Sequence, residues 1–357
     1  VVLLLFVLTT LTIALGGCSG DKKGDISSQI TIGIPQDLED SLDPHKMVTA
    51  GTREVLFNIF EGLVKVTSDG DFVPAVASSY EETEGGKVYT FTLRDNVKFH
   101  DGSTVTAEDV KFSLDKCADT SAGEPLVAAF SNIDSVNILD DKTVQVVLKE
   151  ADTEFLAYMT TAIIPASNAD PDTNPIGTGP YKFVSRSPQE NFVMERFDDY
   201  WGEPAYIKDV TFKICANADT IVMDLEGGSI DMFARVTSTQ AAELSDNFNV
   251  LEGTMNLVQA LYLNNAEAPF DNEKVRQALC YAIDPQEIMM MVSDGKGTEV
   301  GSSMFPSFGK YFMPELNDTY NTDIEKAREL LKEAGFDFHL RLPYLPIISH
   351  TLIPHRY

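Results

Sequence analysis

Apolar and polar residues alternate with a period of two in several short runs and recur near every 3.6 positions in several longer ones. The chain therefore predicts a mixed α/β fold. Gln29 to Pro35, QITIGIP, alternates and is rich in β-branched residues, which predicts the first strand. Gly51 to Val64 places Val55, Phe57 or Ile59, and Phe60 at helical spacing, with Gly62 closing the helix. Lys87 to Phe99, KVYTFTLRDNVKF, predicts a strand followed by a turn. Next comes TVTAEDVKFSLDKC, where Thr106 and Asp109 three residues later form a capping-box pattern before Val110, Phe112 and Leu114. Ile133 to Glu150 holds two alternating runs around Asp140-Asp141-Lys142, a hairpin pattern.

From Val210 the order becomes strand, helix, strand. VTFKIC precedes Asn217 as a cap, ADTIVMDLEGG follows as a helix, and SIDMFA as a strand, the crossover unit of an α/β sheet. Ala260 to Asn265, ALYLNN, predicts another strand. FDNEKVRQALCYAID predicts an amphipathic helix capped by Asp271, with Val275, Leu279 and Ile283 on one face beside Ala278 and Ala282. TDIEKARELLKEAGF predicts a second amphipathic helix, ended by Gly335.

Composition narrows the function. At 357 residues the chain is long enough for two or more domains. Its 55 acidic against 27 basic side chains give a net charge of −28, which repels phosphates and argues against a nucleic-acid partner. Residues 1–17 carry no charge and end in small residues, as a secretory segment does. Leu15-Gly-Gly-Cys18 resembles the bacterial lipobox, whose cysteine is diacylated; an uncleaved anchor or a plain signal peptide is the alternative. Residues 18–28 form a polar tether. Cys117, Cys215 and Cys280 lie far apart with no Cys-x-x-Cys pair, so no zinc or redox site is expected. Cys117 and Cys280 fall in helical patterns and are read as core residues.

Candidate chemistry is sparse. Gly177-Thr-Gly-Pro-Tyr-Lys-Phe183 invites comparison with a phosphate loop. Pro180 removes an amide that such a loop needs, and a strand pattern follows where a helix is required. The stretch reads as a structural turn, its glycines permitting tight geometry and its aromatics packing. His100 has no serine or cysteine nucleophile motif beside it and is read as stabilising a turn. Tyr200-Trp201 reads as packing, with Trp201 lining a pocket as the alternative. No hydrolase elbow, zinc-protease helix, Walker motif or EF-hand loop occurs, so no catalytic residue, cofactor or metal ligand is assigned.

SLDPH, FEGLV, YTFTLRDNVKFHDGSTVTAEDVKFSL, GTGPYKFV, ERFDDYWG, PFDNEKVRQALCYAID and EKARELLKEAGF occur in one order from about Ile30 to Phe336. Together they resemble the extracytoplasmic solute-binding proteins of family 5, the dipeptide-, oligopeptide- and nickel-type receptors of ABC importers. The resemblance implies an α/β fold of the periplasmic-binding-protein type II, with two lobes around a cleft that closes on ligand. Lobe one has an accessory subdomain, and the second lobe is incomplete. The implied parts are residues 26–64 and 177–255 for the main domain of lobe one, 65–176 for the accessory subdomain and 256–357 for the start of lobe two. It further implies a monomeric lipoprotein on the outer face of the cytoplasmic membrane, or in a periplasm. There it would capture di- or oligopeptides for a permease. A nickel-chelate, sugar or opine receptor, or a sensor without a permease, stays open. Residues 343–357 depart from the family pattern and read as frameshifted.

Candidate ligand-binding residues are His45, Phe60, Glu61, Asn256, Gln259 and Tyr262. His45 follows the first strand on a loop that faces the cleft in relatives; a surface histidine is the alternative. Glu61 suits a ligand amine or a turn hydrogen bond, and Arg235 a ligand carboxylate or plain exposure.

Overall fold

The computed structural model describes residues 28–336, apart from positions 40, 69, 122, 216, 218, 219, 254–257 and 305. The leader, Cys18, most of the tether, Asn256 and residues 343–357 lie outside the described residues.

The chain opens with β1 (Gln29–Ile34) and α1 (Ala50–Leu56). Thr49 caps α1, its hydroxyl accepting from the Thr52 N–H. The sequence pattern carries this helix on to Gly62, but it stops at Leu56. Beyond it, the carbonyls of Asn58 and Ile59 accept from the Tyr181 and Gly179 N–H groups. Those acceptors would serve the next turn of a helix, so a tertiary contact displaces it.

A hairpin of β2 (Val64–Val66) and β3 (Phe72–Pro74) leads into β4 (Ala77–Thr83), β5 (Val88–Leu93), α2 (Ala107–Ala118), β6 (Ile133–Asp140) and β7 (Thr143–Leu148). Four of these strands pair antiparallel in the order β4-β5-β7-β6. Alternation turns Tyr89, Phe91, Val144 and Val146 to one face. There they join Val110, Leu114 and Cys117 of α2, with Phe130 and Phe155, in one buried cluster. The Thr106–Asp109 capping box forms as the sequence predicts.

The second sheet contains β8 (Tyr181–Ser187), β9 (Asn191–Arg196), β10 (Asp209–Ile214) and β11 (Met232–Phe233), in the order β11-β1-β10-β9-β8. β1 runs parallel to both β10 and β11. Between those two strands the chain forms α3 (Ile221–Glu226), so the predicted crossover steps over β1. Thr220, not Asn217, is the cap residue of α3; the Asn217 carbonyl accepts from the Thr220 N–H and hydroxyl. α4 (Ser238–Leu244) follows behind a Thr237–Gln240 capping box.

The remaining helices are α5 (Glu273–Ala282), α6 (Pro285–Ser293) and α7 (Ile324–Glu333). α5 packs on α7 through Ala278, Ala327 and Leu330. Gly335, at φ +86, ends α7 as predicted. Three expectations need correction. Asn272, rather than Asp271, caps α5, its side chain accepting from Lys274 N–H. Cys280 lies on the exposed face of α5 and not in a core. Ala260 to Asn265 forms no strand, and among the described residues no strand follows β11 for it to pair with. α6 buries none of its residues, leaving Met290, Met291 and Val292 open to solvent.

Gly177 and Gly179 are glycine because of close approach, not turn geometry. A Cβ on Gly177 would lie 2.1 Å from the Ile59 carbonyl oxygen, and one on Gly179 2.4 Å from that of Asn58. Both obstacles are backbone, which cannot swing away. Gly177→Ala is expected to cost about 2–3 kcal/mol, the scale of a forced overpacking. Urea unfolding measures it, and an unchanged midpoint would show that the segment shifts freely.

Candidate functional site

In open sheets with crossover helices, ligands bind beyond the carboxyl ends of strands, where the strand order reverses. Here that place is the end of β1, flanked by β10 and β11. The chain emerges there as Pro35-Gln36-Asp37 after β1, Cys215 after β10 and Ala234-Arg235 after β11. Arg235 adopts a left-handed backbone at φ +66 and forms an ion pair with Glu54 of α1. Phe57, three positions on from Glu54, is 66% exposed.

The loop after β1 is held rigidly. Asp37 accepts from the Leu38 and Gln189 N–H groups and pairs with Arg186 at 3.2 Å. Burial pushes the Asp37 carboxyl up, but those two N–H donors and the guanidinium outweigh it and hold the carboxyl below its usual range. Arg186 also donates to the carbonyls of Glu39 and Leu38, stapling the loop to β8.

Further along, Asp43 is buried and accepts from the His45 N–H at 3.0 Å and from Lys116 Nζ at 2.7 Å. His45 is itself buried, and its Nε2–H donates to the Ala162 carbonyl at 2.8 Å. Burial lowers its pKa, helped by the Lys116 charge and opposed by that hydrogen bond. This network fastens the Leu42–Lys46 loop to α2 and to the segment after Thr161.

Glu61 forms a third polar junction. Its carboxylate accepts from Tyr200 Oη at 2.7 Å, Trp201 Nε1 at 2.7 Å and Thr178 Oγ1 at 3.2 Å. Its backbone carbonyl accepts from the Ile163 N–H. Burial outweighs the three donors and raises the Glu61 pKa. Beside it, His100 accepts from the Gly177 N–H at Nδ1 and donates from Nε2 to the Gly179 carbonyl at 3.0 Å. Those two bonds select one neutral tautomer, and burial holds the His100 pKa down to about 4.

The sequence candidates therefore separate. His45 and Phe60 are enclosed, and the Glu61 carboxylate is fully occupied by internal donors. Gln259 and Tyr262 are exposed, Tyr262 at 74%, and are not joined to the others by any hydrogen bond among the described residues. Arg186, Asp43, Lys116 and Thr178 were missed. Asp43, Lys116 and Thr178 lay inside stretches quoted for other reasons, but the pairings Asp43–Lys116, Thr178–Glu61 and Arg186–Leu38 join residues remote in sequence. Among the described residues no group of three or more His, Cys, Asp or Glu side chains could hold a metal.

A five-stranded sheet with a reversal at β1, carrying an inserted antiparallel sheet, defines one lobe of a type II periplasmic binding protein. The family model for bacterial extracellular solute-binding proteins, family 5 (middle), matches residues 71–340, and the chain belongs to that family. It is 30% identical over 311 residues to the glutathione-binding protein GsiB of Pectobacterium atrosepticum, covering 83% of this chain and 59% of that protein. It is 32% identical over 298 residues to heme-binding protein A of Haemophilus influenzae, covering 74% and 54%. The structure of DppA from Helicobacter pylori in complex with the peptide STSA superposes with a TM-score of 0.69 at 26% identity, over 86% of this chain and 66% of DppA. The chain thus spans rather more than half the length of the curated relatives it matches.

The depressed His100 pKa has a consequence for stability. The folded state binds this proton less tightly than the unfolded chain, where histidine titrates near its ordinary value of about 6.5. The contribution is complete above pH ~6.5 and is lost as pH falls toward about 4. Unfolding followed from pH 7 to 4 should show a loss of about 3 kcal/mol from this group. His100→Gln should remove that part of the slope and leave the share of buried His45; a variant with the parent's pH profile would contradict the assignment.

Proposed function

We propose that this chain supplies one wall, and the beginning of the other, of a lipid-anchored receptor that captures peptides for an ABC permease. Residues 26–64 and 177–255 form the main domain of lobe one, 65–176 the accessory subdomain, and residues from 256 onward open lobe two. Cys18 carries the lipid, which would keep the receptor on the outer face of the membrane. The receptor acts as a monomer.

The observation that carries this reading is the surface at the carboxyl ends of β1, β10 and β11, with Gln36, the Glu54–Arg235 pair and exposed Phe57. It offers charged and amide groups for a peptide's termini and backbone and an apolar surface for side chains. His45, Phe60 and Glu61 support this wall from behind, while Gln259 and Tyr262 sit on the segment that leads to the second lobe. Closure of the lobes excludes water and strengthens each polar contact. Two of the names support peptide-like solutes, since one relative is called glutathione-binding and one neighbour is in complex with a tetrapeptide, while a third is called heme-binding.

The complete gene product, purified from its native host, should carry a short peptide detectable by mass spectrometry after denaturation. Calorimetry with that peptide should show about tenfold or greater weakening on Arg235→Met, the loss of one charge-assisted contact. A co-purified sugar or metal chelate, or peptide affinity indifferent to Arg235, would contradict the reading.

A further inference from the structure

A cavity of about 390 Å³ opens at one end of the four-stranded sheet, by the start of β4, the end of β5 and the turn before β7. Its walls include Thr92, Arg94, Asp95, Lys142 and Trp201. The Arg94 guanidinium lies 4.4 Å from the Trp201 ring centroid, and Lys65 Nζ lies 5.2 Å from it. Lys65 and Arg94 thus lie over one indole, and Lys142 lines the same pocket, in a chain whose net charge is −28.

Their positive charge is only partly offset. Arg94 donates to the carbonyls of Ala75 and Pro74, which carry no net charge, and makes no ion pair among the described residues. Lys142 reaches Asp95 only at 3.6 Å, and the Asp95 side chain is 87% exposed. Glu61, at the edge of the ring, faces the charge of Lys65 but is hydrogen-bonded to the indole N–H, the Tyr200 hydroxyl and Thr178. That bond also fixes the ring's orientation, so the pocket has a held aromatic wall and cations beside it.

We propose that this pocket is a second binding site, separate from the strand-end surface, for a small molecule that bears a carboxylate on an apolar body. The carboxylate meets Lys142 and Arg94, and the apolar body lies against Trp201. The site does not rest on the peptide-receptor reading, because its walls are the ends of β4 and β5, the residues just after β5 and before β7, and Trp201.

Trp201 is the sole tryptophan of the chain, so its fluorescence reports this pocket directly. The chain as it stands is titrated with N-acetyl-phenylalanine and, separately, with N-acetyl-phenylalanine amide, which differs only in lacking the negative charge. The free acid should give a saturable change, at least tenfold weaker for the amide, and weakened by raising salt from 50 to 500 mM. Lys142→Met should weaken the acid at least fivefold while leaving the unfolding midpoint and far-ultraviolet circular dichroism at parental values. No response to the acid, equal responses to acid and amide, or an unchanged titration in Lys142→Met would each overturn the proposal.

Discussion

The Glu61 carboxylate is the constraint on which the rest of lobe one depends. Withdrawing a carboxylate from water costs several kcal/mol unless donors replace the lost hydration. Here Thr178, Tyr200 and Trp201 replace part of it, from two segments 117 to 140 residues further along the chain. Holding Thr178 sets the two adjacent glycines against the Asn58 and Ile59 carbonyls, an approach that any side chain would block. That contact ends α1 and starts β8 in register. β8 then presents Arg186 to the Leu38 and Glu39 carbonyls and so fixes the loop that leaves β1. One acidic side chain thereby links the junction of the two sheets to the geometry of the strand ends.

The arrangement divides labour between depth and surface. Three groups with displaced pKa values, Glu61, His45 and His100, lie behind the wall and hold it in shape, and displaced Asp37 braces the loop that leaves β1. The surface groups Glu54 and Arg235 are half-exposed and neutralise each other while no partner is near. An exposed pair of this kind contributes little stability, so exchanging it for contact with a charged solute costs little. Perturbed titration marks functional sites only probabilistically, and in this lobe it marks the scaffold. The helices after α4 lack that scaffold. α6 buries nothing, since an amphipathic helix needs a sheet or another helix to cover its apolar side.

Much of this was legible in the sequence where local physics decides. The strands with strict alternation, the hairpin around Asp140–Lys142, the Thr106–Asp109 capping box and the Gly335 stop each follow from a few neighbouring residues. Misreadings fell where distant segments compete with local preference. Phe57, Ile59 and Phe60 have helical spacing, yet the backbone there bonds to residues 179 and 181. Ala260 to Asn265 has the composition of a strand but no partner strand among the described residues. Of the candidate site, the polar residues of interest were visible as residue types. Whether a carboxylate such as Glu61 faces solute or Trp201 depends on packing that no short window contains.

Native-state hydrogen exchange tests the central claim most directly. In the parent chain, amides of β5 and β7 and those of β1 and β10 should open with one shared free energy, because Glu61 couples the two sheets. In Glu61→Ala the two sets should separate, with the orphaned Tyr200 and Trp201 donors costing about 1–3 kcal/mol each. Two distinct opening energies in the parent chain, or a single one that survives Glu61→Ala, would contradict the account.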